Sequence, residues 1–253
     1  MSNDHAASRL VALAVDANDP PRLARFWAAA LGWELGDESG EPGSGDHVIT
    51  VVPTDGTRFH LDIAFAPGPK RGRNRLHLDL TTTSTDDQNE SVASLLSLGA
   101  RHIDIGQRAD ERHVVLADPE GNEFCILAPG NQFLAGTGRL GSITCEGLPD
   151  VGYFWSAALG WPLVWDQDDE TAIRAPDGRG PLITWGGPPV PPKHGKNRLH
   201  LDIAPPVHVD QAAEVDRLLA LGATPADIGQ GDVAWVVLAD PGDNEFCVLT
   251  PRD

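Results

Sequence analysis

The chain has 253 residues, 41% of them hydrophobic and 22% charged, and a formal net charge of −18. That composition describes a globular protein with room for two domains, and it lacks the basic stripe that a nucleic-acid backbone or an anionic membrane surface demands, so neither is an expected partner. No apolar run approaches the roughly 18 residues of a membrane span, and the opening Met1-Ser2-Asn3-Asp4-His5 is polar with no signal-type apolar core after it.

In chain order, residues 10–15 (Leu-Val-Ala-Leu-Ala-Val) read as a buried strand. Asp19-Pro20 then opens a helix, because Asp suits the N-cap and Pro the first helical position. Leu23, Phe26, Trp27, Ala30 and Leu31 fall on one helical face, and Gly32 suits the C-cap. A short strand near 33–36, a polar loop over 37–46 and two strands near 47–52 and 58–65 complete a β-α-β-β-β module. A second module follows: a strand over 75–82, a helix marked by Val92, Leu95 and Leu96 that ends at Gly99, and strands near 101–104, 112–117 and 123–128. Asp118-Pro119-Glu120-Gly121-Asn122 is a tight turn, with Pro presetting φ and Gly supplying a positive φ.

After a glycine-rich linker the scheme is written again. Asn74-Arg75-Leu76-His77-Leu78-Asp79-Leu80 returns as Asn197-Arg198-Leu199-His200-Leu201-Asp202-Ile203, and Phe26-Trp27 returns as Phe154-Trp155. Leu116-Ala117-Asp118-Pro119 returns as Leu238-Ala239-Asp240-Pro241, and Asn122-Glu123-Phe124-Cys125 as Asn244-Glu245-Phe246-Cys247. The chain is one unit of roughly 125 residues written twice, too long a period for a solenoid. The expected domains are 1–130 and 140–253, with 131–139 as linker and a proline-rich loop at 188–192. Cysteine is scarce: Cys125 and Cys247 stand at equivalent places and Cys145 is alone, which suits reduced thiols in the cytoplasm.

Three signatures carry a resemblance in each repeat: the aromatic helix ending Leu-Gly-Trp, the strand Arg-Leu-His-Leu-Asp after a Lys-containing loop, and the Asp-Pro turn running into a last strand. On these the chain resembles the vicinal oxygen chelate superfamily of glyoxalase I, extradiol dioxygenases and bleomycin-resistance proteins, and most of all its glyoxalase-like branch. The resemblance implies an α+β fold: two tandem glyoxalase-like domains, each of two βαβββ modules with curled mixed sheets around a cavity. It implies an internal pseudo-dimer of the two repeats and a small-molecule ligand. It also implies a divalent metal, held by His or Gln on the first strand of a module and Glu on the last.

Carried over residue by residue, the usual metal positions are mostly lost. Leu10 and Ala64 stand at the first-module positions, His77 keeps the histidine, and Cys125 replaces the glutamate; His200 and Cys247 repeat this in the second copy. A divalent metal is therefore admitted but not favoured, and a small-molecule binder without the four-ligand site is the first expectation. A metal-dependent lyase, isomerase or dioxygenase is the alternative.

Strand parity places the remaining chemistry. Side chains alternate faces, so Arg75, His77 and Asp79 share one face and Leu76, Leu78 and Leu80 the other. With the leucines under helices, the cavity is expected to be lined by His60, Asp62, Arg75, His77, Asp79, Glu123 and Cys125, and by Arg198, His200, Asp202, Glu245 and Cys247 in the second repeat. His60, His77 and Glu123 form the expected set if a metal binds. Parallel first and last strands would set Arg75 beside Glu123 as an ion pair and His77 beside Cys125, a small buried hydrophobe. Trp185 and Trp235 are candidates to stack on a ligand. No Gly-rich loop joins a strand to a helix and no G-x-S-x-G elbow occurs, so nucleotide binding and serine hydrolysis lack their motifs.

Overall fold

The computed structural model describes residues 7–108 and 110–252; the polar segment 1–5 lies outside the described residues. Four modules follow one another. The first is β1 (Arg9–Ala17), α1 (Pro20–Leu31), β2 (Glu34–Ser39), β3 (Val48–Val52) and β4 (His60–Phe65). The second is β5 (Leu76–Leu80), α2 (Thr85–Ser97), β6 (Arg101–His102), β7 (Val114–Ala117) and β8 (Glu123–Ile126). The third is β9 (Leu140–Cys145), α3 (Pro149–Leu159), β10 (Leu163–Gln167), β11 (Glu170–Ile173) and β12 (Leu182–Trp185). The fourth is β13 (Leu199–Ala204), α4 (Gln211–Leu221), β14 (Thr224–Pro225), β15 (Val236–Ala239) and β16 (Glu245–Val248).

Local signals act as read. Asp19 caps α1 through Arg22 N, and Gly32 closes it at φ +69°, a left-handed value that costs glycine nothing. Leu23, Phe26, Trp27, Ala30 and Leu31 are all buried. The strand after α1 is longer than expected: β2 runs to Ser39, into the polar stretch, because its exposed residues still pair with β3. No helix among the described residues is long and apolar enough to cross a membrane.

Assembly crosses the repeats. The strands form two 8-stranded sheets, one ordered β14-β15-β16-β13-β1-β4-β3-β2 and the other β10-β11-β12-β9-β5-β8-β7-β6. Each sheet takes one module from each repeat. In each, the first strands of two modules pair antiparallel at the centre, β1 with β13 and β9 with β5. Each module's last strand runs parallel beside its first. Four helices thus cover one face of the two sheets, and Leu76, Leu78 and Leu80 join the core there with Leu199, Leu201 and Ile203.

The repeated Asp-Pro turns tie that core together. Asp118, fully buried, accepts the Trp27 Nε1–H at 3.2 Å, the backbone N–H groups of Glu120 and Asn122, and the Asn122 amide. Asp240 does the same for Trp155 Nε1 at 2.9 Å. A turn thereby orients a helix of the preceding module, which secures each Phe-Trp pair against Phe124 or Phe246.

Candidate functional site

The face of each sheet turned away from the helices, here the inner face, carries the polar side chains. On β5, His77 and Asp79 point inward, their Nε2 and Oδ1 3.5 Å apart. On β13, His200 and Asp202 repeat the pair at 3.3 Å. Cys125 aligns with Asp79, and Cys247 with Asp202. Donor atoms of His77, Asp79 and Cys125 all lie within 4.8 Å of one another, as do those of His200, Asp202 and Cys247. The register thus slips by two residues from the expected one: the thiol sits beside the aspartate as well as the histidine.

The electrostatics are those of an ion pair beside a thiol. Burial opposes the charged form of His200, but the Asp202 carboxylate outweighs it and lifts the imidazole to about 10. His77 is likewise pushed well above the usual histidine value, Asp79 overcoming burial. Burial raises the Cys125 and Cys247 thiols, so each stays protonated at neutral pH. Asp79 resists burial through His77 and through the hydroxyls of Thr144 and Ser142, which hold it on the charged side.

The two inner faces differ in what surrounds these trios. In the second sheet, β9 places Ser142 and Thr144 beside β5, and their hydroxyls donate to Asp79 Oδ2 at 2.7 and 2.6 Å. In the first sheet the matching strand is β1, and it offers Ala12 and Ala14 instead. His200 Nδ1 is buried there without a hydrogen-bond partner among the described residues, and Asp202 Oδ1 has only its 3.3 Å contact with His200 Nε2. Across the alanines lie His60 and Asp62 on β4, in register with Ala12 and Ala14 and 3.3 Å apart; Asp62 also accepts from Thr50 at 3.0 Å. Their counterparts on β12, aligned with Ser142 and Thr144, are Leu182 and Thr184.

The linker deepens the difference. Leu134 packs on Ala172 and Leu182, with Phe133 edge-on to Trp165 at 5.3 Å between ring centres, so the linker covers the β10–β12 end of the second sheet. At the corresponding end of the first sheet, His60 lines a cavity of about 710 Å³ with Arg9, Arg58, Trp161 and Arg252. The first sheet therefore carries the less fully bonded trio and, at His60, a cavity among the described residues, although His77 is the more exposed imidazole, 29% against 13% for His200.

Other expected lining residues serve the seam between sheets. Arg75 does not pair with Glu123. Its guanidinium instead donates to Asn244 Oδ1, Pro191 O and Gly242 O, each at 2.7 Å, across the repeats. Arg198 reaches back to Asp16 O at 2.7 Å and Glu120 at 3.3 Å. Glu123 is taken by Lys70 at 2.6 Å and Glu245 by Lys193 at 2.7 Å. A guanidinium at the very start of its strand can swing past the neighbouring strand, a reach that parity alone does not reveal. The set His60, His77 and Glu123 is not assembled, because His60 belongs to the first sheet and the other two to the second. Trp185 is buried in the core, where Gly152 lets α3 lie directly on its ring. Trp235 is 40% exposed beside β15.

A sequence profile of the glyoxalase-like domain matches residues 12–127 and again residues 142–249. The chain belongs to the glyoxalase-like domain family. The structure of glyoxalase I from Zea mays overlays with a TM-score of 0.65 at 14% identity, covering 96% of this chain and 92% of that one. A dioxygenase-like protein from Bacillus subtilis overlays with a TM-score of 0.61 at 15% identity, covering 98% and 86%. At such identity the likeness is one of fold. No curated protein matches the chain.

The raised imidazoles give this glyoxalase-like protein a pH signature. A histidine whose folded value lies above its unfolded value of about 6.5 adds stability in full below pH ~6.5, and loses it as pH climbs through the folded value. Between pH 7 and about 8, before the unfolded thiols titrate near 8.5, unfolding free energy is expected to fall by up to ~1.4 kcal/mol per pH unit for each histidine. Urea unfolding at these pH values checks it: His200→Asn should flatten the slope, and an unchanged slope would refute the charged pair.

Proposed function

We propose that this glyoxalase-like protein binds one small organic molecule, with an acidic group and an apolar body, at the inner face of its first sheet. The observations that carry this reading are His200 Nδ1, buried with no hydrogen-bond partner among the described residues, and the cavity that His60 lines on the same sheet. A buried polar atom without a partner costs about 1–3 kcal/mol, and a ligand that supplies the missing bond recovers it. The cavity volume lies within the usual range for small-molecule sites. Arg9 and Arg252 suit a carboxylate or sulfonate, while Arg58 is held by Asp177 at 2.6 Å and Leu10, Val11 and Trp161 offer apolar surface.

Anilinonaphthalene sulfonate has that chemistry and reports binding by fluorescence. One molecule per folded chain is expected, with affinity about tenfold lower in His60→Leu (~1.4 kcal/mol) and unchanged in Leu182→His. Absence of saturable binding, or equal effects of both substitutions, would sink the reading.

A second reading is metal-assisted chemistry, favoured by the nitrogen, oxygen and sulfur donors of His200, Asp202 and Cys247. The first-sheet trio fits a borderline ion such as Zn²⁺ better than the second, because Asp202 is free of the hydroxyls that engage Asp79. Such an ion would supply Lewis acidity, with a position left open for substrate. His200 and Cys247 must each release a proton to coordinate it, so calorimetry with Zn²⁺ separates the readings: stoichiometric binding with proton release supports the metal, and no binding leaves the binder.

A further inference from the structure

We propose a second, independent site: a receptor for a compact, multiply charged oxyanion, best matched by phosphate, on the seam where the two repeats meet. It is built by the loop joining β4 to β5 and the equivalent loop joining β12 to β13. Residues 66–75 and 192–198 hold seven of the chain's 19 Lys and Arg residues and no Asp or Glu, in a molecule whose net charge is −18. The two loops enclose a cavity of about 350 Å³. Arg71, Arg73, Arg75, Lys196 and Arg198 line it, and among the described residues Asp16 is its sole lining carboxylate.

Among the described residues, carboxylates bond only two of these five cations, Lys196 and Arg198, while Glu146 stands near enough to Arg73 and Arg75 to feel their charge without bonding either. Arg75 spends its three bonds on two carbonyls and an amide oxygen, all neutral. Arg73 donates to the Ile105 carbonyl at 2.6 Å. Lys196 takes the one carboxylate, Asp16, at 2.5 Å. Arg198 shares Glu120, which stands outside the cavity lining, and its Nε is buried with no partner among the described residues. Arg71 is exposed and makes no hydrogen bond among the described residues. Cations gathered in a cleft with few carboxylates focus a positive potential inward, and guanidinium forks match the paired oxygens of a phosphate. The rest of the acidic surface repels the same anion, so its binding would be confined to this seam. Lys70 and Lys193 are excluded from the count of free charge because Glu123 and Glu245 hold them.

The probe is inorganic pyrophosphate, titrated calorimetrically into the full chain at near-physiological ionic strength, where loose surface attraction is screened. Saturable binding of one anion per chain is expected, at least tenfold weaker in the double variant R71Q/R73Q, whose exposed side chains do not hold the fold together. A charge-matched control, R25Q/R108Q, removes two exposed arginines elsewhere and should bind as the parent does. No saturation, or equal weakening in both variants, would overturn the site. Glycerol 3-phosphate distinguishes the source: tighter binding than pyrophosphate indicates an organic phosphate monoester, and weaker binding a free polyphosphate. Preference for citrate over both phosphates would overturn the phosphate assignment.

Discussion

Arg75→Ala is expected to destabilise the chain by about 3–5 kcal/mol, measured as a lower urea midpoint with little change in slope. The residue is buried, and its side chain carries three bonds of 2.7 Å from the start of β5 to the turn before β16 and to the Pro191 carbonyl. Truncation strips the Arg75 donors from the Pro191 and Gly242 carbonyls and leaves Asn244 Oδ1 only the Asn197 amide at 3.4 Å, in a site too enclosed to rehydrate freely. It also removes packing by the arginine stem. Arg75→Lys should recover only part of the loss, since an ammonium cannot present a rigid fork to three acceptors. A cost below about 1 kcal/mol would mean that the seam is held by the paired sheets alone.

Asp79→Asn should cost about 3 kcal/mol, and Asp202→Asn about 2 kcal/mol less. Both variants break a histidine ion pair, and in both the histidine can shed its proton, which limits the damage. Only Asp79 also receives two hydroxyl hydrogen bonds, from Ser142 and Thr144, and bonds to a carboxylate are the stronger kind. The ligand experiment should run the other way: Asp202→Asn weakens anilinonaphthalene sulfonate or Zn²⁺ binding, and Asp79→Asn leaves it near the parent value. Equal stability losses and equal binding in the two variants would mean that the sheets are functionally alike, and the first-sheet site would then have no support.

Much of the architecture was legible because it is local or periodic. The Asp19-Pro20 start, the Gly32 stop and the Phe26-Trp27 stripe specify α1 through backbone rules and helical spacing. Alternation on β5 and β13 correctly sends leucines to the core and histidine with aspartate to the opposite face, because pleating needs no knowledge of neighbours. The site was legible only in part. His77 and His200 are visible as repeated motif positions, whereas the decisive contrast lies in their neighbours, Ser142 and Thr144 against Ala12 and Ala14. These are unremarkable in sequence and acquire meaning only once β9 and β1 lie beside β5 and β13. The Asp118–Trp27 and Asp240–Trp155 bonds were foreshadowed by their exact repetition, although the turn motif names no partner.

By itself the sequence determined the duplication, the order of strands and helices, and which side chains share a face, since each follows from torsional preference and spacing along the chain. Tertiary structure alone decided that sheets form between repeats rather than within them. It sent Arg75 and Arg198 across the seam, and it packed Leu134 and Phe133 of the linker against β11, β12 and Trp165. The physical reason is that a strand edge offers the same backbone hydrogen bonds to any partner. The choice among partners is made by the total apolar area buried and the polar groups satisfied, and these exist only when distant segments meet.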